Sequence, residues 1–221
     1  MDHSAFWVSI RLACWTTALL FLGGLPLAHW LWRTHFRGKA LVEALIALPL
    51  FLPPTVLGFY LLAALGPHGY LGQSVQWIGG SRLVFSFPGI VLGSVLFNLP
   101  FAVRPFLQAF YAVDSRLVEA AWCLGESRLG TFFRVVLPLA WPGILTGLVL
   151  SFAHTVGEFG VVFMVGGNIP GVTRTLSTAI YDDVQALDYQ AAGNASLVLL
   201  LIAFTALSLT FALQKRVGRS W

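Results

Sequence analysis

The sequence predicts an all-α membrane protein with about five transmembrane helices in each subunit. Hydrophobic residues make up 57% of the 221 residues, charged residues make up only 10%, and the mean hydropathy is +0.81. Soluble domains carry about 25% charged residues, so a soluble fold of this composition would have too little polar surface. The lipid bilayer is therefore the expected solvent, and residues 1–221 are expected to form a single membrane domain.

Five apolar stretches are long enough to cross a hydrocarbon core of about 30 Å, which takes roughly 20 helical residues. They cover about Phe6–Trp30, Leu41–Leu65, Val84–Phe110, Ile144–Val165 and Ala195–Leu213. Each is expected to be helical, because lipid offers no partner to an unpaired backbone group. The first lacks the basic start and the small-residue cleavage site of a secretory signal, so we expect it to remain as a span.

The second stretch contains three prolines, Pro49, Pro53 and Pro54. Proline removes a backbone donor and kinks a helix. This indicates kinked helices around a cavity or pore, although ordinary irregularity of a membrane helix would give the same pattern.

The distribution of basic residues predicts the orientation in the membrane. The residues expected on one side are Arg33, Arg37, Lys39, Arg104, Arg116, Arg128, Arg134, Lys215, Arg216 and Arg219, whereas Arg11, Arg82 and Arg174 fall on or near the other. Lys and Arg favour the cytoplasmic side, so the C-terminus is predicted inside and the N-terminus outside. The net charge of +4 then reflects topology. A nucleic-acid partner would need a basic patch with aromatic or groove-reading residues, which the sequence lacks.

The segment between the third and fourth stretches, about residues 111–138, is charged and helix-prone. Asp114 or Ser115 can cap a helix, and Gly125 fits the position that ends one. A second short helix can begin near Ser127.

We expect this second helix to end at Pro138 and Pro142 and to lead into the fourth span. The segment then forms a helix, a glycine turn and a helix at the inner membrane face. The residues alone leave two interpretations: a surface gripped by another protein, or an interfacial helix pair without a partner.

The spacing within this segment is specific. Glu119-Ala120-Ala121 is followed by three residues, Gly125, nine residues and then Val135-x-Leu137-Pro138. This resembles the signature loop of ABC importer permeases, in which EAA, three residues, G and nine residues precede I-x-L-P; Val135 replaces the isoleucine. In that family the loop forms a coupling helix that docks into a cleft of the cytoplasmic ATPase. The resemblance implies ATPase-coupling roles for Glu119, Ala120, Ala121, Gly125, Leu137 and Pro138.

Further stretches are similar to molybdate permeases, and the resemblance covers roughly residues 6–214. They are LPLFLPPTVLGFYLL at Leu48–Leu62, GEFG at Gly157–Gly160 and NIPGVTRT at Asn168–Thr175. Because GEFG and NIP also occur in sulfate permeases, sulfate, thiosulfate and tungstate remain alternative cargoes. The resemblance implies a homodimer in a bacterial or archaeal cell inner membrane. It also implies ATPase subunits that bind ATP and Mg, and an external oxyanion-binding protein.

Glu158 is a candidate for a pathway or gate, and His154 lies four residues before it on the same helical face. An acid within a span is costly and is a functional candidate by default. Direct binding of an anion by a carboxylate is unfavourable, so we expect Glu158 to have a structural or gating role. An intramembrane metalloenzyme using both residues is a weaker alternative, since two ligands are too few for a metal site.

Other polar residues could contact a transported oxyanion. Arg174 could hold one through its guanidinium group, or could instead serve a surface contact or the docking of the binding protein. Asn98, Ser151 and Thr155 could line the pathway as neutral donors, although such residues commonly bridge membrane helices.

Motifs for catalysis and metal binding are missing from the sequence. There is no GxxxxGK[ST] phosphate loop, GxSxG, HExxH, GxGxxG or CxxC. We therefore expect the chain to be no enzyme and to hold no cofactor or metal, with ATP hydrolysis carried out by a partner. A membrane scaffold that only anchors a partner remains a further alternative.

Overall fold

The structure, a computed structural model, describes residues 2–77 and 82–217, with the side chains of residues 75, 76 and 213–217 excepted. The described residues form helices and connecting turns without a β-strand. The α-helices are α1 His3–Leu19, α2 Leu25–Arg33, α3 Lys39–Ala47, α4 Pro54–Leu65, α5 Tyr70–Trp77, α6 Phe87–Tyr111, α7 Ser115–Cys123, α8 Arg128–Thr131, α9 Leu137–Gly157, α10 Gly160–Gly166, α11 Leu176–Gln185 and α12 Tyr189–Val217. One π-helical segment, Leu20–Gly24, joins α1 to α2, and another, Phe132–Val136, joins α8 to α9.

The long apolar helices confirm the all-α membrane fold. Four continuous helical stretches are long and apolar enough to cross a bilayer: His3–Arg33, Phe87–Tyr111, Arg128–Gly157 and Tyr189–Ala212. A fifth candidate is the pair Lys39–Leu50 and Pro54–Ser74, which is bent by 108°. The described part of the chain thus has four spans, or five if the bent pair counts as one.

The sequence predicts one helix for the second apolar stretch, Leu41–Leu65. The bend instead divides this stretch into two helical parts. Pro49 lies in a 3-10 turn, Leu48–Leu50, that follows α3. Pro53 has an extended backbone, with φ −54° and ψ 135°, because a residue that precedes a proline is disfavoured in the helical region. Pro54 then begins α4, where its missing N–H costs little.

The fourth span also differs from its predicted bounds, Ile144–Val165. Its helix begins at Arg128 and runs to Gly157, so the expected end at Pro138 and Pro142 is wrong. Pro138 lies in the first turn of α9, and a proline inside a membrane helix is tolerated when neighbouring groups satisfy the freed carbonyl. The helix stops before Glu158, whose backbone is extended at φ −69° and ψ 135°.

Helix α6 lies at the centre of the bundle and packs most extensively on α9. Gly143 and Gly147, one turn apart on α9, allow this close approach. A Cβ on Gly143 would lie 2.6 Å from the Cβ of Ala109, and one on Gly147 would lie 2.8 Å from the ring of Phe106. Small residues at this spacing let membrane helices approach closely.

Two short helices lie in the remaining connections. Helix α5 follows α4. Helix α11 precedes α12, and Thr175 and Thr178 begin it with a reciprocal capping box. Of the basic residues near the C-terminus, Arg219 and the side chains of Lys215 and Arg216 lie outside the described residues.

Candidate functional site

The segment between α6 and α9 has the helix, glycine turn and helix that its sequence predicts. The Asp114 carboxylate accepts a hydrogen bond from the Arg116 N–H at 2.9 Å and caps α7. Gly125 ends this helix with φ +85°, a conformation that side chains other than glycine's rarely adopt. The Ser127 hydroxyl accepts from the Gly130 N–H at 3.0 Å and caps α8.

The tip of this segment presents apolar side chains to the surroundings. Leu124 is 87% exposed and Leu129 is 73% exposed, one on each side of the glycine turn. On α7, Val118 and Ala121 are buried against the protein, whereas Glu119 is exposed. A cluster of exposed apolar side chains is typical of an interaction surface.

The six predicted coupling residues do not share one environment. Glu119, Ala120 and Gly125 lie on the exposed part of the segment, and Ala121 faces the bundle. Leu137 and Pro138 lie in the first turn of α9, so they belong to the span rather than to the exposed tip.

An ion pair links the glycine turn to the π-helical segment. The Arg134 guanidinium group contacts the Glu126 carboxylate. This contact joins the residue after Gly125 to the π-helical segment that precedes α9. Exposed ion pairs contribute little stability. The Arg134–Glu126 pair is therefore of interest because it connects the glycine turn to the π-helical segment.

Within the membrane, Asn98 on α6 and His154 on α9 are hydrogen-bonded to each other. The Asn98 amide nitrogen donates to the Ser94 carbonyl at 2.8 Å, and its amide oxygen lies 2.8 Å from His154 Nδ1. The His154 ring stacks on Phe101 with 4.1 Å between centroids. This ring is therefore held by an amide and an aromatic side chain.

Glu158 is a buried acid at the break between α9 and α10. Its residue is 5% exposed, and neither carboxylate oxygen has a hydrogen-bond partner in the described part of the chain. The Ser94 hydroxyl, also buried, lacks a partner there as well. The described residues include no group of three or more His, Cys, Asp or Glu that could hold a metal, and so offer no support for the metalloenzyme alternative.

Ser151 and Thr155 are buried within α9 and bond to its own backbone. Ser151 Oγ donates to the Gly147 carbonyl at 2.8 Å, and Thr155 Oγ1 donates to the Ser151 carbonyl at 2.7 Å. In this arrangement their hydroxyl protons are not available to an anion. Their proposed role in the pathway stays a prediction.

Arg174 is engaged by two carboxylates. Its guanidinium nitrogens lie 3.1 Å from Asp182 Oδ2 and 3.6 Å from Asp2 Oδ2, and Asp182 also accepts from the Asn168 amide at 2.8 Å. A hydrogen bond from Ser4, with a smaller contribution from Arg174, lowers the pKa of Asp2 below its usual value. Two carboxylates beside one guanidinium leave this cluster unfavourable for an oxyanion.

A cavity and an aromatic cluster beneath α7 could not be recognised from the sequence. The cavity, of about 340 Å³, lies between α2, the end of α6, α7 and the Phe132–Val136 segment. The His29 ring packs on Phe132, with 4.4 Å between centroids, and both rings contact Phe110. A histidine within an apolar stretch was the one signal in the sequence, and its partners come from distant helices.

The chain also matches a known family over most of its length. Residues 21–221 match the family described as the binding-protein-dependent transport system inner membrane component. The chain belongs to this family. It is therefore a multi-pass inner membrane protein of the binding-protein-dependent transport systems, and the resemblance to importer permeases is confirmed.

Several relatives of this inner membrane component carry names that specify a cargo. The chain is 51% identical over 191 residues to the molybdenum transport system permease protein ModB of Azotobacter vinelandii, covering 86% of this chain and 84% of the relative. It is 33% identical over 211 residues to a probable sulfate transport system permease protein of Chlorella vulgaris, covering 96% and 79%.

A solved structure shares the fold of this inner membrane component. It is a bacterial alginate ABC transporter in complex with an alginate pentasaccharide-bound periplasmic protein. The two chains superpose with a TM-score of 0.76 at 21% sequence identity, over 97% of this chain and 78% of the other. At this identity the likeness concerns the fold alone.

Proposed function

We propose that the chain is the transmembrane permease subunit of an ATP-driven ABC importer that moves molybdate across the inner membrane. The observation that carries the coupling part of this proposal is the exposed apolar tip around Gly125, within a segment that has the EAA spacing. The 51% identity to a molybdenum transport permease supports the cargo. Sulfate is the second candidate, because a probable sulfate permease is also similar over most of this chain.

In the proposed mechanism two copies of the chain assemble with cytoplasmic ATPase subunits, which bind ATP and Mg. The tip, with Leu124 and Leu129 exposed, enters a cleft of each ATPase, and Glu119 and Ala120 contact the cleft walls. ATP binding draws the two tips together and opens the pathway to the outside. An external oxyanion-binding protein then delivers its anion, and hydrolysis resets the assembly.

The pathway residues contribute little to the choice of cargo in this scheme. The candidates Asn98, Ser151 and Thr155 bond within the bundle, and Arg174 is paired with carboxylates. Selection of the anion is therefore assigned to the external binding protein. This chain performs no covalent chemistry.

The test is ATP hydrolysis by the purified chain assembled with its ATPase in proteoliposomes. Binding protein loaded with molybdate, tungstate or sulfate is added in turn. Stimulation by the molybdate-loaded protein, with matching uptake of molybdate, is the expected result. Stimulation by the sulfate-loaded protein alone would keep the importer and replace its cargo. No stimulation in an assembled complex would favour the scaffold alternative.

A further inference from the structure

The segment between α6 and α9, about residues 111–138, is called the coupling segment below. We propose that Phe132 is a positioning residue that transmits movement of this segment to the membrane helices through its contacts with His29 and Phe110. This inference rests on the proposed function, because it assigns the route by which the ATPase would act on the pathway. None of these three residues is among the six to which the EAA resemblance assigns a coupling role.

The packing of α7 restricts the routes along which a force could travel. Helix α7 packs on α8 and on the Phe132–Val136 segment. Between α7 and α2 lies the cavity of about 340 Å³. The residues that line it include His29, Trp32, Val118, Glu119, Trp122 and Phe132. Close-packed interiors transmit displacement and voids do not. A push on α7 would therefore reach the spans through its buried Val118 and through α8 and the π-helical segment.

The aromatic contacts lie at the end of that route. Phe132 lies 4.4 Å from the His29 ring of α2 and 6.2 Å from the Phe110 ring of α6, measured between centroids. His29 and Phe110 are themselves 5.8 Å apart, and Phe110 is fully buried. One side chain of the coupling segment therefore contacts two different spans.

The backbone at Phe132 departs from a regular α-helix. Residues Phe132–Val136 form a π-helical turn, and such single turns within α-helices frequently occur at functional sites. Conversion of the π turn to α-helix would shift the register by one residue and turn the preceding side chains by about 100°. The Arg134–Glu126 ion pair connects the glycine turn to this same segment, so a displaced tip would pull on it.

The experiment measures both anion uptake and ATP hydrolysis by the assembled complex in proteoliposomes, using the molybdate-loaded binding protein. The variants are Phe132→Ala, His29→Ala and His29→Phe, which restores a ring on α2. Phe204→Ala is the control, because Phe204 is an exposed ring on α12, away from the coupling segment. Co-purification with the ATPase and the melting temperature are recorded for each.

We expect Phe132→Ala and His29→Ala to keep the ATPase bound and active. Uptake per ATP hydrolysed should fall by roughly fivefold or more, since an aromatic pair makes a specific contact that alanine cannot replace. His29→Phe should restore most of the ratio, and Phe204→Ala should leave it unchanged. An unchanged ratio in both alanine variants would overturn the inference, as would a fall in hydrolysis equal to the fall in uptake.

Failure of the proposed function would look different. The unsubstituted complex would then show no stimulated hydrolysis or uptake with any of the three anions. If Phe132→Ala prevents assembly, Phe132→Leu tests the same contact with a milder change. The variants His29→Ala and His29→Phe test it from the other side, on α2.

Discussion

Gly125 is constrained by its backbone conformation rather than by its neighbours. Its φ is +85°, and an added Cβ would meet no atom within 4 Å. A larger side chain therefore has space but not a favourable conformation. Within the chain, glycine is therefore required at this position for its backbone conformation and not for its small size. A requirement for small size could come only from a binding partner.

We predict that Gly125→Val weakens binding to the ATPase about tenfold, because a residue other than glycine costs roughly 1–2 kcal/mol in the left-handed region. Gly125→Asn is the matched variant, since asparagine tolerates that region, and it should bind nearly as well as the native chain. The measurement is the affinity of the detergent-solubilised chain for the ATPase. Equal weakening by both substitutions would mean that the ATPase cannot accept any side chain at this position.

Glu158 combines deep burial with two unpartnered carboxylate oxygens. We predict that Glu158→Gln keeps or raises the melting temperature, because the amide has nearly the same shape and a buried charge is costly. Uptake should fall if the carboxylate takes part in gating. A lower melting temperature would indicate that the carboxylate has a stabilising partner in the assembled transporter. Unchanged uptake would remove Glu158 from the gating candidates.

Among the helices, the contact of α9 with α6 depends most directly on residue size. Gly143 and Gly147 face Ala109 and Phe106 at distances that leave no room for a side chain. The two helices carry the pathway candidate Asn98 and its partner His154, whose hydrogen bond requires this close approach. Separation of the helices would therefore disturb the polar contact as well as the packing.

We predict that Gly147→Leu destabilises the protein by about 1–3 kcal/mol through overpacking. Gly193→Leu is the control, because an added Cβ at Gly193 in α12 meets nothing within 4 Å. Both substitutions improve helix propensity equally, so the difference between them isolates the contact with α6. Thermal unfolding in detergent measures it, and equal melting temperatures for the two variants would contradict the packing argument.

Local features of the sequence predicted several elements well. The caps Asp114 and Ser127 and the turn at Gly125 depend on residues within a few positions of one another, and the structure has them as expected. The prolines indicated a break in the second stretch but not its angle. Helix α4 packs on α10, where Gly58 approaches Met164 closely, and such a contact between distant residues cannot be read from the prolines.

Contacts between distant residues were beyond sequence reasoning. Arg174 suggested an anion site until its pairing with Asp2 and Asp182 was known. His154 and Asn98 were weighed separately, although the structure joins them. In each case the partner lies on another element, and the residue types alone did not specify the pairing.

At the scale of the whole molecule, the orientation in the membrane stays a prediction from the basic residues. The described helices supply four or five spans, and five would put the two ends of the chain on opposite sides. The segment between α6 and α9 carries Arg116, Arg128 and Arg134, and these basic residues predict that it lies on the cytoplasmic side of the membrane. Cys123 at the end of α7 and Cys14 within α1 are both free and exposed, which allows a direct test.

We predict that a membrane-impermeant maleimide labels Cys123 in inverted membrane vesicles and not in right-side-out vesicles. The chain is produced without the ATPase, so that docking does not cover the site. Cys14→Ser should label like the native chain, because the position of Cys14 within a span places its thiol in lipid. Labelling of Cys123 from the outside would reverse the proposed orientation.

The 108° bend between α3 and α4 has a consequence for how the protein enters the membrane during synthesis. The helical stretch before the bend, Lys39–Leu50, and helix α4 after it, Pro54–Leu65, are each about 18 Å long at 1.5 Å per residue, too short to cross the bilayer alone. The insertion machinery therefore meets a segment that cannot settle as an independent helix. Because α4 packs on α10, we expect its final placement to be completed only after Gly160–Gly166 has left the ribosome.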